Sequence, residues 1–225
     1  GADKSREPFV FDAFHQHACL LVRSSLYEIS WNFIHNDPMR SPRYAHPPAD
    51  VTALSPDFDT PHFRQALSRF ATGVTVVTTH APGASKGQTA SSSFVGLTAS
   101  SFNSVSLSPP LVLWSLGLQA GSLPLFHAGT HYVINILAAD QLELCKRFAY
   151  GQGDRFAGVG YTLGQSGLPI LDGALAWFEC HNRSRYEEGD HVIFVGEVER
   201  CGFAEGGEPL VFQGGQFGTT RPLQP

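Results

Sequence analysis

From Asp57 onward the apolar residues Phe58, Phe63, Ala66, Leu67 and Phe70 recur at helical spacing, which predicts a short helix with one apolar face, ended by Ala71-Thr72-Gly73. The next run, Val74-Thr75-Val76-Val77-Thr78-Thr79, is β-branched throughout and predicts a strand, with Ala81-Pro82-Gly83 as the turn after it. Further strands are predicted at 104–107, 111–116, 132–137, 175–182, 191–199 and 210–212. Between 138 and 148 the period is helical again, with Ala139, Leu142, Leu144, Cys145 and Phe148 apolar and Asp140 as the expected N-cap. Pro124, in Leu123-Pro124-Leu125-Phe126, is expected to start a helix. Many short strands with one or two helices predict a mainly β fold. The expected form is a single-domain, closed or nearly closed antiparallel barrel with a few peripheral helices, because closure removes exposed strand edges.

The chain before Asp57 has another texture. It has scattered His, Pro and aromatic residues, weak periodicity, and a Pro-rich run over 38–56 that reads as linker. The only methionine is Met39, followed by Arg40-Ser41-Pro42, and translation is expected to start there, so that residues 1–38 are not native. An N-terminal mass measurement on protein from its native source tests this. The expected division is 1–56, an extension or linker read as disordered; 57–218, the globular domain; and 219–225, a tail. A chain of 225 residues suits that single domain.

Charge and cysteines narrow the function classes. Fifteen Lys and Arg are spread thinly against twenty Asp and Glu, for a net charge of −5, without the basic stripe that nucleic acid binding requires. Cys19, Cys145, Cys180 and Cys201 lie far apart and form no CxxC pair, so neither a zinc knuckle nor a disulfide scaffold is expected and no metal site is read from the sequence. No apolar run reaches the ~18 residues of a membrane span, and the stretch 18–22 is too short for a signal sequence. A cytoplasmic protein with reduced thiols is the expectation.

Chemistry concentrates in 96–110, Gly96-Leu97-Thr98-Ala99-Ser100-Ser101-Phe102-Asn103-Ser104-Val105-Ser106-Leu107-Ser108-Pro109-Pro110, where six hydroxyl side chains accompany small residues next to a strand. Such a stretch is either a polar turn or a phosphate cradle built from hydroxyls and backbone N–H groups. This stretch resembles the signature of the flavin reductase-like, FMN-binding split-barrel family, the reductase components of two-component flavin monooxygenases. Four other segments resemble that family in the same order. They are Phe63 to Thr78 for its opening helix and strand, Val133-Ile134-Asn135-Ile136-Leu137, Asp154-Arg155-Phe156-Ala157-Gly158, and Gly189-Asp190-His191-Val192-Ile193-Phe194-Val195-Gly196.

The resemblance implies a homodimer of split β-barrels that acts as an NAD(P)H:flavin oxidoreductase, passing hydride from NADH or NADPH to FMN or FAD and supplying a partner monooxygenase. It implies flavin contacts for Thr98, Ala99, Ser100, Ser101, Phe102, Asn103, Ser104 and Ser122, with the phosphate met by the serines. It places the nicotinamide at Gly189, Asp190 and His191, with His191 catalytic. Arg155 and Arg147 are candidates for the phosphate or else solvated surface groups, and Phe102, Phe148, Phe156 and Trp177 either cover a flavin face or fill the core. Hydride transfer needs no protein nucleophile; it needs two rings held with reacting atoms ~3–3.5 Å apart.

Three segments depart from the family pattern. Gly87-Gln88-Thr89-Ala90-Ser91-Ser92 duplicates Gly96-Leu97-Thr98-Ala99-Ser100-Ser101 nine residues earlier, and the second copy is assigned the site because it runs on into Val105-Ser106-Leu107. Ala120 stands where a phosphate-binding hydroxyl is expected, which predicts a weaker hold on flavin. Gln213-Gly214-Gly215-Gln216-Phe217 replaces an aromatic and basic pair. Two competing readings are a non-catalytic FMN-binding or electron-carrier protein, and a dimeric scaffold whose serine loop is only structural.

Overall fold

The computed structural model describes residues 57–81, 83 and 93–223. The expectations for 1–56 and for the repeat at Gly87 to Ser92 lie outside the described residues.

Helix α1 (Thr60–Leu67) opens at Asp59, whose carboxylate accepts from the His62 N–H at 2.8 Å, with Pro61 in the first turn. Its apolar face forms as predicted, yet Phe63, Leu67 and the adjacent Phe58 and Phe70 remain exposed. A two-residue strand β1 (Thr72–Gly73) follows and later joins a small sheet. Seven strands then make the body: β2 (Thr75–His80), β3 (Phe94–Ala99), β4 (Asn103–Leu107), β5 (Pro110–Gly117), β6 (His131–Ile136), β9 (Ala176–Glu188) and β10 (His191–Phe203). Helix α2 (Leu123–Ala128) lies between β5 and β6 and has Pro124 in its first turn, as expected. After β6 come a 3-10 turn (Ala139–Gln141), helix α3 (Leu142–Tyr150) and the short hairpin β7 (Tyr161–Leu163) and β8 (Pro169–Leu171). Strands β11 (Val211–Gln213) and β12 (Gln216–Gly218) pair with each other and with β1.

The seven strands run β3-β2-β6-β9-β10-β5-β4, and every neighbouring pair is antiparallel. The two end strands, β3 and β4, are consecutive in the chain and joined only by residues 100–102, so the sheet must curl until its ends meet. The barrel is split at that seam.

Inside it, Trp114 stacks on Phe194 (centroids 4.7 Å apart, 14° between planes) and meets Phe126 and Tyr132 edge-on, with Val77, Leu97, Ile134 and Cys180 around them. Outside it, a second apolar layer of Val76, Val133, Leu137, Phe148, Leu168 and Leu171 is roofed by α3 and the β7–β8 hairpin. Because β2 and β6 are buried on both faces, they read as continuous apolar and β-branched runs rather than as alternation.

Each of these large side chains contributes roughly 1.5–3 kcal/mol of burial. Buried polar groups fix the roof. Asn135 donates to the Val76 carbonyl at 3.2 Å and accepts from the Leu171 N–H at 2.9 Å, while the Thr78 hydroxyl donates to the Pro169 carbonyl at 2.9 Å.

Some elements differ from expectation. Asp140 does not cap a helix: Ala138 starts the 3-10 turn, its N–H held by the Gln141 side chain at 3.0 Å, and α3 begins only at Leu142. Residues 94–99 form strand β3, where the pattern predicts no strand. Strands β9 and β10 run well past their predicted ends, because the residues beyond the barrel, such as Arg183, Tyr186 and Glu188, are polar or exposed on both faces and carry no burial pattern. The glycine pair Gly214-Gly215 is a hairpin turn, with φ of 60° and 79°.

Candidate functional site

The hydroxyl-rich stretch is divided among three elements. Thr98 and Ala99 end β3, Ser100 to Phe102 make the bend, and Asn103 and Ser104 begin β4. Several of its polar groups are already committed. The Thr98 hydroxyl donates to the Cys145 carbonyl at 2.7 Å, tying β3 to α3. Ala99 is buried, its carbonyl accepting from the Thr75 hydroxyl at 2.9 Å. The Ser101 hydroxyl accepts from the Ser115 N–H at 2.9 Å and donates to the Ser115 carbonyl at 3.0 Å, so it closes the seam between the bend and β5 in place of strand pairing. Asn103 accepts from the Ser104 N–H at 2.9 Å. Phe102 is half-buried and stacks on Phe178, centroids 5.4 Å apart. Ser100 and Ser104 are exposed.

Beside this bend lies a cleft of about 780 Å³, walled by β3 from Phe94 to Thr98, by Leu116, by the turn residues Ala120, Gly121 and Ser122, and by Gly153 to Phe156. Four predicted site residues, Thr98, Ser122, Arg155 and Phe156, therefore share one concavity. Ser122 precedes α2; its carbonyl accepts from the Leu125 and Phe126 N–H groups, while its hydroxyl makes no capping bond. Arg155 donates from Nε to the Gly151 carbonyl at 2.9 Å, and from Nη1 to the carbonyls of Phe148 at 2.8 Å and Gly96 at 3.2 Å. The guanidinium thus clamps the loop after α3 onto β3, with Nη2 left over. Arg147 lies outside the cleft, donating to the Ala157 carbonyl at 2.8 Å.

The cleft floor is aromatic. Phe156 is only 2% exposed and meets Phe148 at 5.0 Å and Phe94 at 5.9 Å, centroid to centroid. Both Phe148 and Phe156 therefore fill the outer core and present only part of their surface to the cleft. Trp177 packs against the same layer. Gly96 is required where these rings approach β3, since a Cβ there would stand 2.5 Å from the Phe148 ring. Gly96→Val is expected to cost about 1–3 kcal/mol by overpacking, read as a lower midpoint in urea unfolding.

The remaining candidates sit on the β9–β10 hairpin. Glu188 pairs with His191, leaving Gly189 and Asp190 as a two-residue loop with Gly189 at φ 61°, the arrangement of a type II′ turn. His191 Nδ1 is 2.6 Å from Asp190 Oδ1, and this hydrogen bond holds the Asp190 carboxyl below the usual carboxylate range. His191 is half-exposed and its Nε2 faces Gly117, across the β5–β10 pair. The hairpin does not line the cleft, but the Asp190 carbonyl accepts from the Leu118 N–H at 2.9 Å and so fastens it to the turn that carries Ser122.

Because the Asp190 pKa is lowered on folding, its contribution is present above the ordinary carboxylate value and lost as pH falls through the lowered one. The Gly189 to Val192 amide signals are therefore expected to report the Asp190 titration by shifting below about pH 4 in an NMR titration.

A sequence profile described as "Flavin reductase like domain" matches residues 67–221. The chain belongs to this family. It is 44% identical over 156 residues to FMN reductase (NADH) SmoA of Agrobacterium fabrum, covering 69% of this chain and 83% of that one. It is 34% identical to HsaB of Rhodococcus jostii, the reductase subunit of a flavin-dependent monooxygenase, covering 77% of this chain and 84% of that one. Among solved structures, the NADH:FAD oxidoreductase SgcE6 of Streptomyces globisporus, in complex with NAD and FAD fragments, superposes with a TM-score of 0.66. That match is at 38% identity and covers 73% of this chain and 94% of that one. The split barrel described above is the fold of this flavin reductase family.

The cleft fits a flavin by its chemistry. Its volume is that of a cofactor site, its floor is aromatic, and Thr98, Ser122 and Arg155 line it, of which the Ser122 hydroxyl makes no capping bond. The departure at Ala120 also falls in this wall, two residues from Ser122. Restoring a hydroxyl there by Ala120→Ser is expected to tighten FMN binding about 3- to 10-fold, the worth of one hydrogen bond, measured by quenching of flavin fluorescence. Leu116, Val95 and Gly153 are cleft residues that no residue type announces; only the pairing of β3, β5 and the α3 loop brings them there.

Proposed function

We propose that this chain is an NAD(P)H-dependent flavin reductase that supplies reduced FMN or FAD to a separate monooxygenase. The observation that carries the reading is the cleft in which Thr98, Ser122 and Arg155 meet over an aromatic floor, with its serine turn fastened to the His191 hairpin through the Leu118 N–H. A bound flavin would supply the ring that accepts hydride from the dihydronicotinamide. The protein's part is to hold and orient.

The free Ser122 hydroxyl and the spare Arg155 Nη2 are suited to the phosphate. Ser100, Ser104, Asn103 and Phe102, together with the backbone of Ala99 and Ser101, are placed along the seam to meet the ribityl chain and ring edge. Gly189 and Asp190 shape the turn that receives the nicotinamide. His191 is the catalytic residue: Asp190 holds Nδ1 and sets the ring direction, which leaves Nε2 to bond the carboxamide or give a proton.

The reading includes a homodimer and a cytoplasmic location. The uncovered apolar side chains on α1 and the exposed Leu107 on β4 supply surface for self-association, which analytical ultracentrifugation tests. The described cysteines, Cys145, Cys180 and Cys201, are free thiols, and no described helix is long and apolar enough to cross a membrane.

Anaerobic stopped-flow mixing of the protein with NADH and FMN tests the function. Flavin bleaching well above the uncatalysed rate is expected, whereas bound FMN that is never reduced by NADH or NADPH identifies a non-catalytic flavin carrier instead.

A further inference from the structure

A second constellation lies on the outer face of the barrel, apart from the flavin cleft. His131 on β6 and His181 on β9 are direct cross-strand partners, their rings 5.3 Å apart, and Glu199 comes to them from β10. One donor atom from each of the three lies within 4.8 Å of the others. His131 Nε2 is already 3.4 Å from Glu199 Oε2. Two ligands bound at ~2.1 Å to one tetrahedral ion stand ~3.4 Å apart, so this pair has the spacing a metal would impose. The His181 imidazole is exposed, and its donor atom lies within 4.8 Å of both.

Three features of the sheet aim these groups together. Between Val198 and Arg200 the β9–β10 register slips by one residue, and the extra residue is Glu199. A bulge of this kind re-aims a side chain, and here Glu199 faces the histidines while Arg200 reaches Glu179 on the same face. Second, the neighbouring cations are used elsewhere: Arg183 pairs with Glu197 at 3.2 Å and Arg200 with Glu179 at 3.7 Å, so Glu199 is left to the histidines. Third, the Thr130 hydroxyl is 3.0 Å from His131 Nδ1 and the Thr79 hydroxyl donates to the His131 carbonyl at 3.0 Å. A partner on Nδ1 orients the ring and turns Nε2 outward as a ligand. His131 and Glu199 also line a second cleft of about 680 Å³, which includes no β3 residue and adjoins the flavin cleft at Ala81 and Leu125.

We propose that His131, His181 and Glu199 form a divalent cation site of the zinc class, with two imidazoles and one carboxylate from three adjacent strands and a remaining coordination position for water or a small anion. Two neutral imidazoles and one carboxylate suit Zn²⁺ and the neighbouring first-row ions better than Mg²⁺ or Ca²⁺, which prefer oxygen ligands. The ion cross-links β6, β9 and β10 at the rim of the second cleft. Because the ligands lie up to 68 residues apart and share no short spacing motif, the sequence carries no sign of them.

Isothermal titration of the full, tag-free chain with zinc chloride in a non-chelating buffer tests the site, beside the variants His131→Ala, His181→Ala and Glu199→Gln. His127→Ala, a surface histidine on α2 outside the cluster, serves as control. Wild type and the His127 variant are expected to bind one Zn²⁺ per chain at this site and to melt at a higher temperature with zinc than without. Each cluster variant is expected to lose at least tenfold in affinity and to lose the zinc-dependent shift while keeping the zinc-free melting temperature. Undiminished 1:1 binding by the double variant His131→Ala/His181→Ala, or no saturable binding by wild type, overturns the proposal.

Discussion

Replacing Arg155 by alanine is expected to lower stability by about 2–4 kcal/mol and to weaken FMN binding by at least tenfold. Three carbonyls, those of Gly151, Phe148 and Gly96, accept from this one half-buried guanidinium, and its removal strands them at the wall of the cleft. A charged donor bond is worth about 1.5–3 kcal/mol, reduced here because solvent reaches part of the site. For a domain of this size the loss corresponds to a fall of roughly 5–15 °C in melting temperature. Lysine is not a rescue, since a single ammonium cannot reproduce the fork that spans α3 and β3. Arg155→Lys should therefore keep the charge and still lose much of the clamp. Calorimetry separates the two roles: a variant that melts like wild type but binds FMN poorly shows that Arg155 acts on the phosphate alone, and the reverse shows a purely structural clamp.

Replacing His191 by alanine is expected to slow flavin reduction roughly 10²-fold, the scale of one positioned acid or orienting group, with FMN affinity changed little. The side chain stands outside the flavin cleft, half-exposed, and among the described residues it bonds only to Asp190. Its loss leaves the hairpin intact, because the β5–β10 and β9–β10 backbone ladders and the Asp190 to Leu118 bond remain. Asp190→Asn keeps an acceptor for Nδ1 and should fall between wild type and His191→Ala. An equal loss of reduction rate and flavin affinity in His191→Ala would contradict this role.

What the sequence reveals depends on whether a residue acts locally. Strands β2, β5 and β6 are legible because runs such as Val74 to Thr79 are β-branched and buried, and Pro124 marks α2 by its fixed φ. Strand β3 is hidden. Its Thr98 and Gly96 look like loop chemistry, although Gly96 serves the Phe148 ring and Thr98 serves the Cys145 carbonyl. The outer half of the β9–β10 hairpin is hidden for the opposite reason, since it buries nothing.

The same distinction holds in the site. Motifs single out Ser122, Arg155 and His191 as candidates, whereas Leu116 and Val95 reach the cleft only by strand pairing. Ser101 shows how composition misleads: its hydroxyl lies in a phosphate-like stretch but is spent on both backbone groups of Ser115. Only its N–H remains to be offered to a ligand.

The most direct measurement is a crystal structure of the full chain soaked with FMN. The predicted result is flavin density in the cleft between Thr98, Ser122 and Arg155, phosphate toward Ser122, with the ring edge along the seam at Ser100 to Ser104. Density confined to the second cleft near His131, or none at saturating FMN, contradicts it.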